Sequence, residues 1–347
     1  MPNSSASAQF SRLSRRGVLA AGGVVGVGAL LSACGAGGSG GSGAGAQSGG
    51  AWSFTDDRKK KVSLDSEPKR IVAYVGAAAA LYDFGVDKQI VGVFGPTKKK
   101  NGRPDVLAGD LPVDRLEIIG NAYGEFDVEK YAKTRPQLLI TNMYQPNVLW
   151  YVPEESKSKI LKFAPSLALT TAKVSMLEPI KRFEKLAGAL GADVKAKKAA
   201  DAKKRFEEAS ERLRKAAKSS GGVKVMAASG YPDLLYVSDP DMNADLRYYK
   251  ELGVEFVKPK KVSKQGFFEE LSWENADKYK ADILFMDNRT QALQPSALKS
   301  KPAWSRLPAV KAGQIAEWNP EPRFSYAGAA PLLEDLAKAI EDAKKVG

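Results

Sequence analysis

The chain has 347 residues, 53 of them Lys or Arg and 40 Asp or Glu, giving a formal net charge of +13, and it contains no histidine. The missing imidazole excludes a Ser-His-Asp triad, a Cys-His dyad, an HExxH zinc site and a His-ligated haem or manganese centre. With 44% hydrophobic and 27% charged residues, the composition is that of a folded globular protein long enough for two cores.

Residues 1–33 carry only Arg12, Arg15 and Arg16 as charges, ahead of an apolar run at 17–31 of 15 residues, too short to span a bilayer. SRRGVL at 14–19 resembles the twin-arginine export signal. Leu31-Ser32-Ala33-Cys34 resembles the lipobox of bacterial lipoproteins, in which the chain is cut just before a cysteine whose thiol is acylated. Cys34 is the single cysteine. These segments predict an exported chain, lipid-anchored on the outer face of the cytoplasmic membrane. Removing the three arginines of 1–33 lowers the net charge from +13 to +10. That excess is spread over Lys59–Lys61, Lys98–Lys100, the Lys-rich stretch near residue 200 and the lysines of 258–261. No stripe of interleaved aromatic and basic residues marks a nucleic-acid partner, so the charge is read as a solvated surface, or as one facing anionic lipid or cell wall.

The stretch 34–51 is nearly all Gly, Ser and Ala after Cys34 and predicts a flexible tether reaching roughly 20–25 Å. Structure is expected from Trp52 onward. Apolar runs of β character at 70–75, 90–94 and 137–142 alternate with helical segments at 77–84 and 128–133, which argues for βαβ units and a mainly parallel sheet. Between 176 and 219 the pattern is helix only, broken at Gly188 and Gly191. Residues 193–218 hold no Gly or Pro and predict one helix about 39 Å long. A second alternating set follows, with strands at 223–227, 254–257, 283–286 and 315–318 and helices around 244–252, 274–280 and 331–345. The expected fold class is α/β, two α/β lobes joined by a single long helix. The corresponding boundaries are 52–175 for the first lobe, 176–220 for the helical linker and 221–347 for the second lobe.

An internal repeat supports two equivalent lobes. DVEKYAKTRPQLLI and SWENADKYKADILF both run N-cap residue, one residue, Glu, a short helix and an apolar strand. Asp127 and Ser272 are the expected caps, and each Glu lies 11 residues before the expected end of its strand, at Ile140 and Phe285. A carboxylate in a first helical turn opposes the helix dipole, which accounts for either Glu129 or Glu274 alone. One per lobe also suits docking to a two-fold symmetric partner.

WSFTDDRKKKVSLDSEPKRIVAY, at 52–74, resembles the opening strands of the substrate-binding proteins of ferric siderophore and cobalamin ABC importers. PAWSRLPAVKAGQIAEW, at 302–318, resembles their late helix, turn and strand. With the single long helix and the paired glutamates, the resemblance covers essentially all of 52–347, and the chain is most similar to the ferrioxamine-binding lipoproteins of actinobacteria. A departure lies at 58–60, where the family commonly has a Gly in the first hairpin. The resemblance implies a helical-backbone substrate-binding protein, monomeric, non-enzymatic and without a cofactor or metal ligands of its own. Its ligand would be a pre-formed ferric hydroxamate siderophore of the ferrioxamine type, held between the lobes. Glu129 and Glu274 match the glutamates that meet arginines on the two permease subunits, whose partner ATPase drives transport.

Crevices form outside the carboxyl ends of parallel strands, and polar aromatics recur there. Tyr74, Tyr123, Tyr144 and Trp150 follow strands or precede the Glu129 helix in the first lobe; Tyr231, Phe267, Phe268 and Arg289 do so in the second, and Trp318, Arg323 and Tyr326 end the last strand. Each is either packing or a ligand contact. By resemblance, Tyr144, Phe267 or Phe268, and the stretch from Arg323 to Tyr326 fall near ligand-contacting positions. Arg289 and Arg323 would donate to iron-bound oxygens; a triply charged catecholate complex would also attract them. Other readings are a cobalamin or haem binder of the same family, disfavoured by the missing His, or an anchored hydrolase using Asp56 with Asp57 or Asp239 with Asp241. Those aspartates read as turn residues.

Overall fold

The computed structural model describes residues 50–347. The expected export signal, the expected lipidation site at Cys34 and nearly all of the expected tether lie outside the described residues. Chain order from the first strand is β1 Trp52–Thr55, β2 Lys61–Leu64, β3 Ile71–Tyr74, α1 Val75–Asp83, β4 Ile90–Phe94, β5 Glu117–Gly120, α2 Val128–Lys133, β6 Leu138–Met143, α3 Glu154–Ile160, β7 Ser166–Thr170, α4 Leu177–Ala189 and α5 Lys197–Ser219. The second half continues with β8 Lys224–Gly230, β9 Leu234–Ser238, α6 Ala244–Glu251, β10 Glu255–Phe256, β11 Phe268–Ser272, β12 Ile283–Asp287, α7 Pro295–Leu298, α8 Pro302–Arg306, α9 Pro308–Lys311, β13 Ile315–Trp318 and α10 Tyr326–Asp342.

The first lobe is a five-stranded sheet in the order β5-β4-β3-β6-β7, parallel throughout. Its central strands β3 and β6 are buried along their whole length, as sheets covered on both faces require. The second lobe orders its strands β11-β9-β8-β12-β13, with β10 also paired to β8. Here β12 runs parallel to β8 and β13, whereas β9 is antiparallel to both β8 and β11. The mainly parallel expectation therefore holds for one lobe, and the hairpin of β8 and β9 departs from it in the other. Among the described residues no helix is long and apolar enough to cross a membrane.

The β1–β2 hairpin closes without the family's usual glycine because Lys59 itself takes a left-handed φ of 64°. Asp56 compensates by accepting from the backbone N–H groups of Arg58 and Lys60 at 2.9 and 3.0 Å. Its other oxygen accepts from Arg58 Nε at 2.6 Å.

The long helix is 23 residues, roughly 34 Å, and starts at Lys197, four residues later than expected. Gly191, at φ 81°, makes the break; Gly188 does not, since it lies inside α4. Phe206, Ala209, Ser210, Leu213 and Ala216 form the buried face of α5. Its polar face is tied to α10 by two forked ion pairs, Arg205 with Glu334 and Arg212 with Glu341. The last helix begins at Tyr326 and carries Pro331 inside it, where the sequence pattern placed the start. Pro331 falls at the sixth position, so the helix continues with one bond missing.

The two Glu segments are less alike than the repeat implied. Asp127 caps α2 by accepting from the N–H groups of Glu129 and Lys130. Around Glu274 the helix shrinks to one 3-10 turn, Trp273–Asn275, and the Ser272 side chain caps nothing; its hydroxyl instead accepts from Asn275 Nδ2 at 2.9 Å. Strands β6 and β12 run past Ile140 and Phe285 to Met143 and Asp287, so the two spacings differ by one residue. Asp239 lies in a turn, accepting from Asp241 N–H, and Asp241 is paired with Lys250 and Lys258.

Candidate ligand cleft

The carboxyl ends of β5, β6, β8, β12 and β13 open into a cavity of about 570 Å³ between the lobes. Two aromatic walls face it. The first is built on the loop after β6, where Thr141 Oγ1 donates to the Trp150 carbonyl at 2.7 Å and the Trp150 N–H donates to the Asn142 carbonyl at 3.1 Å. These bonds and a left-handed Tyr151, φ 60°, turn successive rings onto the cavity. Trp150 lies 4.8 Å from Tyr144, 5.5 Å from Tyr151 and 6.1 Å from Tyr123, centroid to centroid. Tyr123 stands on the rim, 75% exposed. The second wall comes from the hairpin of β8 and β9 and from the start of β11, with Tyr236 5.0 Å from Tyr231 and 4.6 Å from Phe268; Phe267 joins it.

Charge is concentrated on the floor. Asp287 ends β12 and accepts from the Arg289 backbone N–H at 2.9 Å, a local turn. The Arg289 side chain folds back onto the same carboxylate, with Nε and Nη2 at 3.0 and 2.6 Å. Ser229 donates to Asp287 at 2.8 Å. Nη1 of Arg289 reaches Glu321. Glu321 is placed by the sequence Asn319-Pro320-Glu321-Pro322, in which the Asn319 side chain accepts from the Glu321 N–H at 3.0 Å and the prolines fix the flanking backbone. The Glu321 carboxylate also accepts from the Tyr74 hydroxyl and from Trp150 Nε1, the latter at 2.9 Å, so a second-lobe carboxylate binds two donors of the first. Burial disfavours a charged Arg289, but Glu321 and Asp287 outweigh it and hold its pKa well above the ordinary value. Burial, then the charge on Glu321, raises the pKa of Tyr74 and of Tyr144, so both stay neutral donors. The Tyr144 hydroxyl is itself buried, beside the polar side chains of Asn142 and Thr171.

Tyr123, Tyr144, Trp150, Tyr231, Phe267, Phe268, Arg289 and Trp318 all line the cavity. Three expected residues do not. Tyr74 is fully buried beneath the floor, stacked on Tyr151 at 5.3 Å, because β3 runs straight into α1 with no loop to expose it. Arg323 turns away to Asp83 on α1 at 3.1 Å and to Asp110 at 3.4 Å. It lies against Gly109, where a Cβ would come within 2.4 Å of the guanidinium. Tyr326 starts α10 packed on Phe84 and Phe206. Conversely, Tyr151, Tyr236 and Glu321 line the cavity and were not anticipated. Tyr151 had a signal, a Trp-Tyr pair in a strand-following loop; Tyr236 lies within a strand, and Glu321 within a Pro-rich turn that reads as a connector. Glu129 and Glu274 are exposed and outside the cavity lining. Among the described residues no group of three or more Asp, Glu, Cys or His could hold a metal ion.

Beneath the cleft, Trp318 Nε1 donates to Asp245 at 2.7 Å. Burial pushes the Asp245 carboxyl up to about 6. Between pH 4 and 6 the folded chain thus keeps a proton that the unfolded chain releases, so this group's contribution to stability falls as pH rises through that window and is flat above it. Asp245→Asn keeps an acceptor for Trp318 while removing the charge, at the expense of a buried amide N–H₂. The variant is expected to be more stable than the parent by roughly 1–2 kcal/mol above pH 6, with the gap closing toward pH 4. Urea midpoints at pH 4, 5, 6 and 7 check this; a gap independent of pH would refute it.

A family model described as "Periplasmic binding protein" matches residues 71–322. The Fe(3+)-citrate-binding protein YfmC of Bacillus subtilis is 23% identical over 265 residues, covering 75% of this chain and 76% of that protein. Among solved structures, DesE, a ferric-siderophore receptor protein from Streptomyces coelicolor, is 51% identical with a TM-score of 0.82, covering 85% of this chain and 100% of that one. The petrobactin-binding protein YclQ of Bacillus subtilis shares the fold at 18% identity and a TM-score of 0.62, covering 84% of this chain and 99% of that one.

Proposed function

We propose that this chain, which belongs to the periplasmic binding protein family, captures a ferric hydroxamate siderophore of the ferrioxamine type in the cleft and delivers it to an ABC permease for iron uptake. The carrying observation is an aromatic-walled cavity in which the one arginine, Arg289, is already bonded to Asp287 and Glu321. Similarity to a ferric-siderophore receptor over the whole of that receptor's length supports the ligand class. A ferric trihydroxamate is iron wrapped in oxygen ligands with an aliphatic outer surface and little net charge. Aromatic faces suit its hydrocarbon. Arg289 has five N–H groups and uses three on carboxylates, leaving two for iron-bound oxygens. A triply anionic catecholate complex would meet two buried carboxylates here without a free cation to offset them. The role is binding, not catalysis, and the iron is cargo.

Delivery would use Glu129 and Glu274 as the contacts with the two permease subunits. Cys34 would carry the lipid that holds the protein at the outer face of the cytoplasmic membrane after twin-arginine export. Cys34→Ala is expected to move the protein from the membrane fraction to the soluble one; its retention on membranes would dismiss the anchor.

The ligand reading is tested by titrating the full-length, detergent-solubilised protein with a ferric trihydroxamate, a ferric catecholate, cobalamin and haem while following tryptophan fluorescence, since Trp150 and Trp318 line the cavity. Saturable quenching by the hydroxamate alone is expected. Quenching by none of the four, or by another in preference, overturns it.

A further inference from the structure

Of all residues lining the cavity, only Arg289 and Glu321 carry charge. Directly behind them lies Asp287, with its side chain fully buried. Two carboxylates therefore face one guanidinium, and the floor has a net charge of −1. Solvent shields this charge only weakly, because the side chains of Arg289 and Glu321 are only 14% and 4% exposed. This sign is opposite to that of the chain as a whole, which stands at +13. A basic protein attracts anions at long range, but salt screens that attraction beyond about 10 Å at 0.1 M. A buried charge under the ligand is screened much less.

We infer that the Asp287–Arg289–Glu321 cluster is a charge filter, which favours ferric hydroxamates bearing a cationic pendant group and disfavours those bearing an anionic one, with Glu321 the residue that sets the sign. The inference rests on the hydroxamate reading and deepens it. Glu321 suits the role because its other partners, the Tyr74 hydroxyl and Trp150 Nε1, are neutral donors, so its charge is balanced by Arg289 alone. Asp287 already claims that same guanidinium through two nitrogens.

The test uses the full-length protein and three ferric complexes of one trihydroxamate core whose pendant group is an ammonium, an acetamide or a carboxylate. Affinities are measured at 0.1 and 0.5 M salt. The expected order is ammonium, then acetamide, then carboxylate, with about tenfold between the extremes, largely retained at the higher salt. In Glu321→Gln, which can still accept from Tyr74 and Trp150, the floor becomes neutral and the span should shrink to about threefold or less. If that variant fails to fold, the salt series on the parent protein still decides. Equal affinities for the three complexes, or an order that reverses or collapses at 0.5 M salt, would overturn the filter while leaving hydroxamate binding in place. Failure of all three to bind would overturn both.

Discussion

Arg289→Ala is expected to lower stability by about 3–5 kcal/mol. The guanidinium is 14% exposed, and its two partners, Asp287 and Glu321, are 0% and 4% exposed. Removing it leaves two buried carboxylates with no cation between them, and each must draw in water at the expense of the packing around it. Adding Asp287→Asn and Glu321→Gln to Arg289→Ala should recover much of the loss, because the cost lies in the orphaned charges and not in the missing guanidinium. Denaturant midpoints of the single and triple variants settle the matter. A loss under about 1 kcal/mol, or no recovery in the triple variant, would show that the carboxylates rehydrate freely and that the floor is not a closed electrostatic unit.

The Glu129→Ala, Glu274→Ala pair should reduce siderophore-dependent iron uptake at least tenfold, the scale of two lost charge pairs at an interface, while ligand affinity stays within about twofold. Neither side chain lines the cavity. Their structural contribution is small: Glu129 lies in the first turn of a helix already capped by Asp127, worth about 0.3–1 kcal/mol to the dipole, and Glu274 lies in a single 3-10 turn. Uptake by cells carrying the variant, set beside titration of the purified protein, separates docking from binding. Parallel losses of uptake and affinity would remove the docking role. Because α2 and the Glu274 turn differ in shape, the two single variants need not be equal, and the rigidly capped Glu129 is expected to matter more.

Much of the architecture was legible before any coordinates. Periodicity marked β3, β4, β6, β8, β12 and β13, each within two or three residues of its observed bounds; all but the edge strand β13 are buried along most of their length and are continuous apolar runs bounded by turn residues. The absence of Gly and Pro across α5 marked the connecting helix, and the repeat of Glu, short helix and strand marked two lobes. Short elements were the weak point. The expected helix at 274–280 is a single 3-10 turn, since a few residues of helical composition do not secure a helix without packing. Strands β5, β9 and β11 went unseen because their burial is mixed along the strand and leaves no continuous apolar run, and β7, SLALT, is bounded within itself by Ser and Thr.

At the cleft, the sequence placed aromatic residues after strand ends but could not say which way they turn. Tyr74, Tyr144 and Arg323 occupy similar places in the pattern. Tertiary structure sorts them: Tyr74 is covered by Tyr151, Arg323 is drawn to Asp83 across the lobes, and Tyr144 remains on the wall. Composition and periodicity are local properties, and they determined the fold class, the lobes, the linker and the lack of imidazole chemistry. The charge of the floor is not local. Glu321 lies 32 residues from Arg289 and 171 from Trp150, and only folding brings them into one buried cluster, where exclusion of water makes a single unbalanced carboxylate felt.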